Sequence, residues 1–155
     1  MTQGVVIMST ALVSSVILMY RKGVSEDDLI KTVNEISKYA LKKGYKVGGV
    51  NENSSAVAVR SAISYLEGII TKTKKNIFEL TIQAGSQFQK ILMLAYYRNT
   101  LTHAFLPEAF VGCTIAAFGE QLHSNEGITL ARIHEQTIFL MSFLQKSYFL
   151  EYSLN

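Results

Sequence analysis

KILMLAYYRNTLTHAFLPEAFVGC, residues 90–113, sets an arginine, an asparagine and a histidine inside a run that is otherwise apolar. Polar groups are costly to bury without partners, so what Arg98, Asn99 and His103 pair with decides both fold and function. Their spacing is helical. Asn99 and His103 are four apart and Tyr96 lies three before Asn99, so these three share one face, while Arg98 and Thr102 share the adjacent one. A helix over Phe88–Phe105 can use these residues in two ways. They form a hydrogen-bonded seam that pins helices together, or Arg98 offers its guanidinium to a phosphate. Pro107 then ends or kinks the helix, or opens a further one over Pro107–Phe118.

Outward from this stretch the chain reads as more helices. One proline and ten glycines fit helices joined by short loops. A first helix over Val5–Lys22 stops at Gly23. Ser25 caps a second, with Asp28 completing a capping box, and Glu26 and Asp27 put negative charge where the helix dipole favours it. Leu29, Ile30, Val33, Ile36, Tyr39 and Ala40 make its apolar side, Lys42 and Lys43 load its last turn, and Gly44 stops it. Residues 44–55, GYKVGGVNENSS, read as an exposed loop. A third helix, starting near residues 53–55, carries Val57, Val59, Ile63, Leu66 and Ile70 and dissolves in TKTKKN, residues 71–76. Ile77–Ile82 alternates imperfectly and reads as helix or loop in preference to strand. HSNEG, residues 123–127, is a turn, and Ile128–Leu150 is a last amphipathic helix. The expectation is an all-α bundle of about five to six helices forming a single domain over residues 1–155.

Composition narrows the function. Apolar residues make up 48% and charged residues 17%, a lean surface that implies some apolar area is covered by a partner, a membrane or the rest of a longer polypeptide. The net charge is only +3, and the one tight basic cluster, Lys72, Lys74 and Lys75, has the pattern of a solvated helix end. No nucleic acid partner is expected. Cys113 is the single cysteine, which excludes an internal disulfide, and its neighbours Val111 and Ile115 predict a buried small hydrophobe. His123 falls in a turn, and His134 with Glu135 lacks the second histidine of a zinc-binding H-E-x-x-H. No metal and no cofactor are expected. Neither a G-x-S-x-G elbow nor a nucleotide-binding glycine loop occurs. Residues 5–20, VVIMSTALVSSVILMY, are uncharged, but 16 residues fall short of the roughly 20 a spanning helix needs. They also lack the basic flank of a secretory signal, so a buried helix is expected there.

Three blocks, in order, resemble a known family. STALVSSVILMYRKGVSEDDLI (9–30), LMLAYYRNTLTHAFLPEAFV (92–111) and IHEQTIFLMSFLQKSYFLE (133–151) are similar to the C-terminal helical region of glycerol-3-phosphate and dihydroxyacetone-phosphate acyltransferases. The family's chemistry uses an H-x-x-x-x-D motif in which the histidine deprotonates the acceptor hydroxyl. Here that motif is absent. HAFLPE, residues 103–108, has the spacing but ends in Glu108, follows Pro107, and lies in the downstream block, so it is rejected as a catalytic dyad. The resemblance therefore implies a non-catalytic portion whose parent transfers an acyl chain from acyl-CoA to glycerol 3-phosphate. Its expected partner is the catalytic domain of the same parent. Tyr96, Asn99, Thr102 and His103 are its structural polar seam, and Arg21, Lys22 and Arg98 are its candidates for substrate contact. Membrane association through the parent follows, at the mitochondrial outer membrane in preference to peroxisome or endoplasmic reticulum, because the chain ends SLN and not SKL. The alternatives are a stand-alone helical interaction module, a fragment of a dihydroxyacetone-phosphate acyltransferase, or a small protein anchored by residues 5–20.

Overall fold

The computed structural model describes residues 6–20, 22–49, 55–80, 87–119, 121 and 127–148. Five helices carry most of them: α1 (Ser9–Met19), α2 (Glu26–Lys42), α3 (Ser55–Tyr65), α4 (Gln87–Phe118) and α5 (Leu130–Tyr148). Five short strands accompany them: β1 (Val6–Met8), β2 (Val24–Ser25), β3 (Lys46–Gly48), β4 (Ile70–Lys72) and β5 (Ile77–Leu80). The fold class is the expected one, a helical bundle, with small sheets added. The chain divides into two compact units, residues 1–104 and 105–155.

The first unit is built around α1. STALVSSVILM contains no charge, and every residue from Ala11 to Ile17 is buried. A helix that is apolar all round belongs in an interior. Against it α2 contributes Leu29, Val33 and Ala40, and α3 contributes Val59 and Ala62, with Leu66 just beyond. Each large aliphatic side chain enclosed this way stabilises by about 1.5–3 kcal/mol relative to exposure. The hydroxyls of Ser15 and Ser37, which let these helices approach, donate back to the carbonyls of Ala11 and Val33 at 2.8 and 2.7 Å. At 11 residues, α1 is shorter than the roughly 20 that a spanning helix needs.

Turn chemistry explains where the elements begin and end. Ser25 Oγ accepts from the Asp28 amide at 3.1 Å, the N-cap half of the expected capping box, while the Asp28 carboxylate accepts from the Ser25 hydroxyl at 2.7 Å in place of the backbone N–H. Gly44, with φ +86°, closes α2 as anticipated. The first helix starts later than predicted, because Val6–Met8 pair in parallel with Lys46–Gly48, register Ile7↔Val47. A run of four apolar residues without period is compatible with strand or helix, and the ladder decides. The same pairing turns part of the predicted 44–55 loop into β3. Residues 70–80 form an antiparallel hairpin, joined by β2 in the order β2-β5-β4. The segment from Ile77 is thus a strand, not helix or loop. Its turn is closed by Asn76 N–H to Thr73 O at 3.0 Å, with Asn76 at φ +60°.

The second unit joins α4 from Phe105 onward to α5. Pro107 neither ends α4 nor opens a separate helix; it sits inside one helix of 32 residues. Phe110, Thr114 and Thr137 are buried, and the Thr137 hydroxyl lies 2.8 Å from the Ile133 carbonyl, to which it donates, and 3.2 Å from Thr114 Oγ1. Phe110 and Thr114 take the inward positions, which leaves Cys113 exposed, not buried as its neighbours implied. Thr129 opens α5, its carbonyl accepting from Arg132 N at 3.1 Å. Of the predicted turn at 123–127, residues 123–126, with His123, lie outside the described residues, and Gly127 has φ +60°.

Two glycines separate backbone strain from crowding. Both Gly44 and Gly23 have positive φ, +86° and +91°, but a Cβ on Gly44 meets nothing within 4 Å, whereas one on Gly23 runs into Ile77 Cγ2 and comes 3.2 Å from the Phe78 carbonyl. Gly44→Ala is expected to cost about 1–2 kcal/mol, the left-handed backbone penalty. Gly23→Ala adds about 1–3 kcal/mol of overpacking. Urea unfolding of both variants checks the order; equal costs would refute it.

Candidate functional site

On α4 the side chains sort by period. Leu94, Leu101 and Ala104 turn inward and are fully or nearly buried. Phe88, Leu92 and Tyr96, at intervals of four, point outward, with Tyr96 72% and Phe88 75% exposed; Ile91 and Met93 flank them. Asn99 and His103 continue the same stripe. The outward face is therefore apolar toward its N-terminal end and polar toward residue 103. A helix apolar on two sides has a second surface to cover beyond the one its own unit buries.

The polar residues are placed as follows. Tyr96, Arg98, Asn99 and Thr102 are exposed. Arg98 Nη2 donates to Asn99 Oδ1 at 3.2 Å, and Thr102 Oγ1 donates to the Arg98 carbonyl at 3.4 Å. His103 is half-buried, its ring edge-on to Tyr45 at 5.4 Å, with Nε2 enclosed and without a hydrogen-bond partner. Beside it Lys43 Nζ donates to the Ala104 carbonyl at 2.9 Å, tying the end of α2 to α4. Lys22 is exposed in the turn after α1; Arg21 lies outside the described residues. His103 and Glu108 ride one α-helix, where a five-residue separation is about 140° of rotation, so their side chains diverge. His134 and Glu135 are exposed on α5. Among the described residues no three His, Cys, Asp or Glu side chains gather where they could hold a metal ion.

One charged cluster escapes a reading of the sequence. Glu26, in the first turn of α2, accepts from Arg60 Nε at 2.8 Å and from Lys72 Nζ at 2.9 Å, across 34 and 46 residues. The three rim an open groove of 470 Å³ whose apolar floor includes Ile63, Ile70 and Phe78. Lys72 also lies over the Phe78 ring, 5.3 Å from its centroid. Lys72 ends β4 and Lys74 and Lys75 sit in the hairpin turn, so this basic cluster belongs to a hairpin and not to a helix end. Only the tertiary fold brings these charges together, and no spacing along the chain signals it.

A family model for the C-terminal region of glycerol-3-phosphate acyltransferase matches residues 1–154. Comparison with curated proteins finds no match.

Glu26 generates a pH prediction. Hydrogen bonds from Lys72 first, then Arg60, hold its carboxyl below the ordinary value of 4.5. A folded-state pKa below the unfolded one contributes stability that is complete above the unfolded pKa and is lost as pH falls through the folded value. Glu26→Gln is therefore expected to destabilise at pH 7, by under about 1 kcal/mol because the partners are solvated. That difference shrinks as pH drops below the ordinary value and through the lower folded one. Chemical denaturation across this range checks it, and a gap that widens in acid would refute the pairing.

Proposed function

Because the chain belongs to the family of glycerol-3-phosphate acyltransferase C-terminal regions, we propose that it is the non-catalytic helical portion of a glycerol-3-phosphate 1-O-acyltransferase. The parent moves an acyl group from acyl-CoA to the 1-hydroxyl of glycerol 3-phosphate, opening phospholipid and triacylglycerol synthesis. The observation that carries this reading is a pairing of presence and absence. The family match spans nearly the whole chain, yet no histidine is followed five residues later by an aspartate. General-base chemistry on a hydroxyl needs that pair or its equivalent, so the catalytic residues lie in another part of the parent.

The outward face of α4 then serves as the docking surface for the catalytic domain. Phe88, Leu92 and Tyr96 supply apolar area, and the exposed Arg98, Asn99 and Thr102 supply the polar edge that fixes register. Arg98 and Lys22 are the residues of this chain offered to an anionic substrate, with Arg21 beside them in sequence. Membrane association belongs to the parent, at the mitochondrial outer membrane. Among the described residues one helix, α4, is long and apolar enough to cross a bilayer, with an 18-residue window of mean hydropathy 1.4. Its buried Leu94, Leu101 and Ala104, and Lys90, Arg98 and Glu108 along its length, favour a docked helix over a spanning one.

Acyl transfer from labelled palmitoyl-CoA to glycerol 3-phosphate tests the proposal. The purified chain, an acyltransferase catalytic domain of the family lacking its own C-terminal region, and a mixture of the two are assayed side by side. The chain alone is expected to be inactive, and the mixture active. Leu92→Asp, at an exposed position, should leave the fold intact and lower the rescue about tenfold or more, as expected at a central anchor. Activity from the isolated chain would overturn the reading. Silence from every mixture would favour an interaction module instead.

A further inference from the structure

α4 belongs to two bodies at once. The boundary between the compact units falls between Ala104 and Phe105, inside a helix that runs unbroken from Gln87 to Phe118. Each unit holds its own stretch of that helix. Leu94, Leu101 and Ala104 are buried on the near side of the boundary. Phe110 and Thr114 are buried on the far side, where Thr137 of α5 lies 3.2 Å from Thr114 Oγ1.

The turn that joins these stretches is short of helical hydrogen bonds. Pro107 has no N–H, so the His103 carbonyl loses its donor, and the pyrrolidine ring crowds that same carbonyl. The next carbonyl, that of Ala104, is engaged from outside the helix: Lys43 Nζ, at the C-cap of α2, donates to it at 2.9 Å. Just before them Thr102 Oγ1 donates back to the Arg98 carbonyl at 3.4 Å, a type of bond that bends helices. These departures from a regular ladder all fall within residues 98–107, and the boundary lies among them. A long helix kinks at proline, and one anchored in a separate core at each end flexes where its own bonds are fewest.

We propose that residues 103–107 are a hinge, about which α4 flexes while both cores stay intact, and that Lys43 is its latch, holding the near side of the hinge to the end of α2. Hinges confine the change in backbone angles to a few residues and leave packed cores as they are. The inference stands apart from the acyltransferase reading, because it uses only the chain's own backbone and one lysine.

Distances between two spin labels, measured by double electron–electron resonance on the 155-residue chain, test it. One label sits on Cys113, exposed on the far stretch of α4, and the other on Lys31→Cys, exposed on α2. A broad distance distribution is expected. Pro107→Ala, which restores the missing donor, is expected to narrow it at least twofold. Lys43→Met, which keeps the apolar stem and removes the donor, is expected to broaden it. Amide exchange at Phe105, Leu106, Glu108 and Ala109 is expected to run at least tenfold faster than at Leu101 and Thr114, and to slow in Pro107→Ala. Exchange in α1, the core of the first unit, should be the same in both variants, which shows that they fold. A single narrow distribution in the starting chain would overturn the hinge in favour of a fixed kink. A width unchanged by Pro107→Ala would overturn it by placing the motion elsewhere, and a width unchanged by Lys43→Met would overturn the latch.

Discussion

The first unit depends on one constraint: the middle of α1 has no surface to give to water. Seven consecutive residues, Ala11 to Ile17, are buried, so neighbours must meet the helix on every side. α2 and α3 cover two sides, β5 reaches a third, and β1, just before α1, places Ile7 against the same core. Enclosing one helix all round requires more than a pair of neighbours, and this accounts for short strands in a chain whose composition reads as helical. The strands are walls for α1 before they are sheets. Ser14 records the closeness of the packing. Its Oγ is buried with no hydrogen-bond partner, whereas Ser15, one position on, reaches the carbonyl of Ala11.

Local chemistry was legible wherever it was decisive over three or four residues. Ser25 with Asp28, Gly44 after two lysines, and the apolar spacing of Leu29, Val33 and Ala40 each specify a structure with little help from the rest of the chain. Val6–Met8 was not legible as a strand, because its partner lies 40 residues away at Lys46–Gly48. The hairpin at 70–80 was hidden by its lysines, although Thr73 and Asn76 carry the turn. Pro107 misled for a physical reason as well. A proline removes one helical donor, and in a long helix held by packing on either side that loss is affordable.

For the candidate site the spacing of Tyr96, Asn99 and His103 correctly implied one shared face, but periodicity does not say whether a face points inward or outward. An apolar run was read as a buried one. In the structure Leu94, Leu101 and Ala104 satisfy the interior, and the polar stripe is left on the other side. The Glu26, Arg60 and Lys72 cluster is illegible in principle, since each residue looks like an ordinary surface charge until the fold brings the three together.

The polar end of α4 also has a backbone cause. Pro107 has no N–H, so the carbonyl of His103, four residues earlier, lacks its helical donor. The next carbonyl, that of Ala104, accepts from Lys43 Nζ, and Thr102 Oγ1 bonds back to the Arg98 carbonyl. Polar side chains thus concentrate at the turn where the helix is short of one donor, and His103 Nε2 is left enclosed and unpaired beside Tyr45. These hydrogen bonds are made within the chain and need no ligand, so this part of the seam has a reason to exist within the chain itself. Phe88, Leu92 and Tyr96 have none: they repair nothing, and water gains nothing by their exposure. The case for a partner therefore rests on the apolar end of the stripe, while the polar end supplies the geometry that a partner would read.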